Sequence, residues 1–260
     1  MANSFSSCAD VVYPSDAELL DMEQFRRSPN RGSGATRPKR NYTTPQGEVY
    51  FKFGLIDNEI CAELFAYAIG TQLGLPMAVT RLAKSDIVFG VASYDNGGYS
   101  EMSDEYGYSV KDFIGIPGFI DMCLFDYLIM NEDRHAGNWG TKNGRVAPLF
   151  DHNLSFGGDV VIRDLPTFMA RVTSPFYVEG QYEQNHNDLL KYFVEFHLEA
   201  VSAFMCKASE VKLVQNNLWS EHYCRECEHL NKVLAGRIKY MIGKVGEYSA
   251  RQDSDNEFPK

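Results

Sequence analysis

The segment that most constrains this chain is PGFIDMCLFDYLIMN, residues 117–131, which is apolar almost all round. A helix with no polar face has to be enclosed on every side, so the chain must build a core large enough to surround it. At 260 residues, with 44% hydrophobic and 23% charged residues, it has the length and balance to do so without a disulfide or metal staple. Within that run Asp121 and Asp126 are the exceptions, and each reads as making a structural hydrogen bond to a neighbouring backbone rather than as a catalytic group.

Periodicity sets the surroundings. In GEVYFKFG, residues 47–54, Val49, Phe51 and Phe53 alternate with Tyr50 and Lys52, as in a half-buried strand. A helix is expected from about Asn58 to Leu73, closed by Gly74 and Pro76. DIVFGVASY, ending at Tyr94, reads as a strand followed by a DNGG loop. A short helix is expected over Ser15–Phe25, then a loop through SPNRGSGATRPKRNYTTPQG, and two or three amphipathic helices over residues 187–247. Strands early and helices late make an α+β protein with a small sheet-bearing lobe, residues 1–94, and a larger helical lobe, residues 95–249. Residues 250–260 read as a solvated tail.

Charge and composition narrow the function classes. Twenty-five Lys and Arg against 35 Asp and Glu give a formal charge of -10. That balance argues against nucleic acid or a membrane surface as the main partner. No apolar run reaches the roughly 18 residues of a transmembrane helix, and the first residues lack the pattern of a secretory signal. Six cysteines, with Cys61 and Cys123 inside apolar runs, fit a reducing, cytoplasmic setting. Cys224 and Cys227, flanked by His222 and His229, lack a second pair to close a zinc site and read as part of an amphipathic helix.

The chemistry concentrates in NEDRHAGNWGTKNGRVAPLFDHNLSFG, residues 131–157. Asn143-Gly144 is a two-residue hairpin turn, which sets Lys142 opposite Arg145 and Thr141 opposite Val146. Continued outward, the same pairing sets Asn138 opposite Leu149, with Asp151 two residues beyond. Asp133, Asn138 and Asp151 are thereby expected at one end of the hairpin. A few oxygen ligands suit Mg²⁺, which completes its shell with water and substrate phosphates. An Asp five residues before a metal-binding Asn, with a further Asp downstream, is the spacing used in phosphoryl transfer.

DRHAGNWG followed by APLFDHNLSFG resembles the catalytic segment of HipA-like serine/threonine kinases. GFIDMCLFDYLIMNE, NEICAELFAYAIGTQLGLP and VFGVASY are similar to the same family in the same order. The resemblance implies a two-lobed kinase-like fold in a compact form, and an ATP- and Mg²⁺-dependent transfer to a protein Ser or Thr hydroxyl. It makes Asp133 the catalytic residue, His135 an organiser of its loop, and Asn138 and Asp151 the metal ligands. Lys52 becomes the phosphate-contacting lysine, with Glu59 favoured over Glu63 as its partner. Adenine would sit near Ser93 and Tyr94. The loop of residues 31–40, with Ser33 and Gly34, would cradle phosphates, with Ser33 a site of autophosphorylation. An antitoxin or another regulatory protein is an implied partner. A phosphoinositide or small-molecule kinase, and a nucleotide-binding pseudokinase, are the alternative readings.

Overall fold

The computed structural model describes residues 19–29, 38–94, 100–101, 113–131, 134, 136–156, 177–178, 181–182, 186–214 and 224–256. The first part of the chain forms a six-stranded sheet from β1 (Leu20–Asp21), β2 (Arg26–Ser28), β3 (Lys39–Thr44), β4 (Gly47–Phe53), β5 (Thr80–Ser85) and β6 (Val88–Tyr94), in the order β1-β5-β6-β4-β3-β2. Only β1 and β5 run parallel; the other neighbours are antiparallel.

The alternation read in residues 47–54 sets the two faces of this sheet. Val49 and Phe51 join Met22, Tyr42, Ala83 and Ala92 in a small core on one face. Lys52 lies opposite Val91 in register, and Val91 belongs with Leu82 to the main core on the other face. Strand parity thus turns Lys52 toward α1 (Asp57–Gln72), which packs on that face. Helix α1 ends as its sequence suggested. Gly74, at φ +74°, donates to Thr71 O and Leu75 donates to Gly70 O, a left-handed closure that satisfies the last carbonyls.

Helix α2 (Phe119–Ile129) is the all-round apolar segment, and nine of its residues, from Phe119 to Ile129, are buried. It is surrounded by α3 (His186–Phe196), α4 (Leu198–Ser209) and α5 (Cys224–Asn256). Short strands β7 (Ser100–Glu101), β8 (Gly140–Lys142) and β9 (Arg145–Val146) form a second sheet, and β10 (Tyr177–Val178) pairs with β11 (Gln181–Tyr182). Among the described residues, no helix is long and apolar enough to cross a membrane. The protein is α+β.

Four expectations need correction. Residues 20–25 form β1 and a 3-10 turn rather than a helix, because Leu20 and Asp21 pair with Ala83 and Lys84. The polar stretch 39–44, read as loop, is strand β3, held by six paired positions with β4. Strand β5 was not expected and forms a tight hairpin with β6, Ser85 facing Val88. Helix α5 runs through Asn256, into the segment read as a tail.

Candidate active site

The site begins with Lys52 on the α1 face of β4. Its ammonium lies 2.6 Å from Glu63 Oε1 and 2.9 Å from Asp151 Oδ1. Burial works against the charge on Lys52, yet the two carboxylates hold its pKa above the ordinary lysine range. The strand beside it has to come close. A Cβ on Gly90 would stand 2.0 Å from the Lys52 carbonyl oxygen, so glycine alone fits there.

Glu63, not Glu59, is the lysine's partner. Glu59 is the third residue of α1, and its Oε2 accepts the Ile56 N–H at 3.0 Å, a cap on the helix start. Glu63, one turn further in, reaches the sheet with one oxygen and the loop after β9 with the other: Oε2 accepts the His152 N–H at 3.0 Å. A single carboxylate therefore ties strand, helix and the Asp151 segment together.

The far side of the site is organised by Arg134, which is completely buried. Helix α2 ends at Met130 in a left-handed turn, φ 54°, that folds the chain back on the helix. Asn131 then donates Nδ2 to Asp126 Oδ1 at 2.8 Å. Arg134 grips the same carboxylate with Nε at 2.9 Å and Nη2 at 3.0 Å. Its Nη1 donates to Asn138 O at 2.6 Å and to Phe150 O at 3.0 Å. The two candidate metal-binding segments therefore meet on one guanidinium nitrogen. Burial disfavours the Arg134 charge, but Asp126 holds its pKa above the usual value.

Asn138 ends a 3-10 turn, Ala136–Asn138, and is 6% exposed. Behind it Trp139 packs edge-on against Phe113 at 5.2 Å and beside Phe119 at 5.5 Å. The expected pairing of the hairpin holds for Thr141 with Val146 and Lys142 with Arg145. It stops before Leu149, which instead donates to Pro76 O at 2.7 Å and accepts from Ala78 at 2.9 Å. That switch of partner carries Phe150 and Asp151 toward the sheet. Asp151 has φ 61°, a left-handed conformation that aspartate tolerates. Burial opposes its charge, but Lys52 foremost, then Arg134 and Lys39, hold its carboxyl below the usual range.

Asp151 is 31% exposed, and its Oδ2 takes no hydrogen bond from the described residues. A carboxylate oxygen on Asp151 and an amide oxygen on Asn138 are the hard donor types that Mg²⁺ takes. Among the described residues no cluster of three or more His, Cys, Asp or Glu forms a complete metal cage. Asp133, His135, Ser33 and Gly34 lie outside the described residues. Ser93 is buried in β6 between Tyr50 and Thr80, and the Tyr94 N–H donates to Val79 O at 3.0 Å. Sequence reading gave no role to Arg134 or His152. The available signal was Asp126 itself: a carboxylate in an apolar helix demands a buried cation, and Arg134 is the nearest one after it.

The architecture has a counterpart among known structures. The chain superposes on the Helicobacter pylori proinflammatory kinase CtkA with a TM-score of 0.63 at 18% identity, covering 90% of this chain and 98% of that one. The fold is kinase-like. HipA of Shewanella oneidensis MR-1, in its complex with HipB and operator DNA, is more distant, at a TM-score of 0.47 and 13% identity over 89% of this chain and 70% of that one. No protein-family model and no curated protein matches the chain.

Proposed function

We propose that the protein is an ATP- and Mg²⁺-dependent kinase that transfers the γ-phosphate to a serine or threonine hydroxyl of a protein. The observation that carries this reading is the junction at Lys52, where one ammonium from the sheet meets Glu63 of α1 and Asp151 at 2.6 and 2.9 Å. Kinases need such a lysine–glutamate pair beside a metal-binding aspartate, because phosphoryl transfer rests on positioning and charge neutralisation. Lys52 would contact the nucleotide phosphates, with Glu63 setting the direction of its side chain. Asn138 and Asp151 would hold Mg²⁺, which neutralises charge on the β- and γ-phosphates when bound. Asp133, five residues before Asn138, takes the role of orienting the acceptor hydroxyl and accepting its proton.

The acidic charge balance supports a protein acceptor over a lipid one. The test is transfer of labelled γ-phosphate from Mg²⁺-ATP to separate protein and phosphoinositide acceptors, with Lys52→Ala and Asp151→Asn as controls. Protein labelling is expected, with each substitution lowering turnover by about 10²-fold or more. Lipid labelling without protein labelling overturns the acceptor class. Transfer that survives both substitutions overturns the site.

A further inference from the structure

His152 is 2% exposed and sits between the two halves of the site. Resting on the kinase reading above, we propose that His152 is a positioning residue that locks the Asn138 loop to the Lys52–Glu63 pair, acting through Arg134. A guanidinium has five N–H groups and accepts nothing. Four of them are directed to Asp126 Oδ2, Asp126 Oδ1, Asn138 O and Phe150 O. The fifth contact is Arg134 Nη2 to His152 Nε2 at 2.9 Å. Because arginine only donates, Nε2 must accept, and the single proton of the neutral ring is on Nδ1.

The other edge of the same residue faces α1. The His152 backbone N–H donates to Glu63 Oε2, and Nδ1 lies 3.9 Å from that oxygen. Phe125 packs edge-on against the imidazole at 5.8 Å and fixes its plane. Burial, Arg134 and Lys52 all favour the neutral ring. His152 therefore touches the partner of the phosphate lysine with one edge and the clamp on Asn138 O and Phe150 O with the other. Remove the acceptor and one buried N–H of Arg134 loses its partner. The guanidinium must then turn, carrying the two carbonyls that share its Nη1. Lys52 and Glu63 keep their direct contact, so nucleotide binding persists while the alignment for transfer is lost.

The experiment compares wild type, His152→Phe and His152→Gln by turnover with saturating ATP, ATP affinity by calorimetry, and thermal unfolding. His152→Phe keeps a ring against Phe125 but has no acceptor, and is expected to lower kcat by about 10²-fold with ATP affinity within about threefold. His152→Gln offers an amide oxygen to Arg134 and is expected to recover at least about tenfold of that loss. Wild-type turnover in His152→Phe, parallel losses of kcat and affinity, or no rescue by glutamine overturns the inference. If His152→Phe does not fold, ¹⁵N imidazole shifts of wild type decide: a proton on Nδ1 is expected, and one on Nε2 overturns the inference. Wild-type protein that neither binds nor turns over ATP instead overturns the kinase reading, and this role with it.

Discussion

Asp126 and Tyr127 are neighbours on α2, and each holds a completely buried arginine, Arg134 and Arg237 respectively. Asp126 takes its arginine by a two-pronged carboxylate grip. Tyr127 takes the other with its backbone carbonyl, at 2.5 Å, and with its ring, 4.6 Å from the guanidinium. Tyr240 covers Arg237 with a second ring at 5.1 Å. The electrostatics diverge accordingly. Burial disfavours both cations, but Asp126 more than restores the charge of Arg134, whereas Tyr127 and Tyr240 leave the pKa of Arg237 below its usual value. Directional bonds to a carboxylate, two carbonyls and an imidazole fix a loop in every coordinate. Ring faces fill space and tolerate small shifts. The first arrangement suits a segment that must hold reacting groups, and the second suits helix packing between α2 and α5.

The sharpest way to break this contrast is to replace each arginine by an unbranched apolar side chain. Arg134→Met leaves Asp126 buried without its cation and is expected to cost about 3–5 kcal/mol. Arg237→Met keeps most of the ring packing and is expected to cost about 1–2 kcal/mol. Urea unfolding measures both, and equal costs would remove the distinction. One step out, the partners of the partners should differ in the same sense. Asn131→Ala deletes a hydrogen bond to the charged Asp126, at about 1.5–3 kcal/mol. Tyr240→Leu deletes one half-buried ring face over Arg237, at about 0.5–1 kcal/mol. A tyrosine cost above the asparagine cost would reverse the assignment of the two regions.

What could be read from sequence follows the range of the interactions. Helix α1, helix α2 and the alternation of β4 are local patterns, and the structure has them within a residue or two of their expected places. Strand β3 was hidden because KRNYTT lacks an apolar alternation, with strand-favouring residues only at Tyr42, Thr43 and Thr44; it is a strand because β4 lies beside it. The choice between Glu59 and Glu63 depends on how α1 is rotated against the sheet, which spacing along the helix does not contain. Position was informative only in the other direction: a Glu at the third residue of a helix is a capping residue, which accounts for Glu59. The hairpin pairing was legible near its turn and failed at Leu149, where Pro76 and Ala78 compete for its backbone. The place of His152 gave no signal at all, since its ring meets Arg134, 18 residues away, and its backbone N–H meets Glu63, 89 residues away.

The last contrast separates the two regions by pH. On the Arg134 side, burial first, then Arg134 and Lys52, hold the pKa of His152 well below the usual histidine value. The unfolded chain titrates this group near about 6.5, so below that pH it takes up a proton that the folded protein does not. Stability is therefore fully present above pH about 6.5 and falls with acid by up to about 1.4 kcal/mol per pH unit for this one group. On the Arg237 side, burial raises the pKa of Tyr127, and Arg237 pulls it back only in part. The unfolded tyrosine ionises near about 10, so here stability is present below that pH and is lost as pH rises past it. Denaturant unfolding from pH 7 to 5.5 should show a shallower acid slope in His152→Gln than in wild type, with the slope from pH 9 to 11 unchanged. Tyr127→Phe should do the reverse, flattening the alkaline limb and leaving the acid one alone. A His152→Gln protein with the full wild-type acid slope would mean that another histidine carries it, and that the imidazole beside Arg134 is not the group that makes this half of the core sensitive to acid.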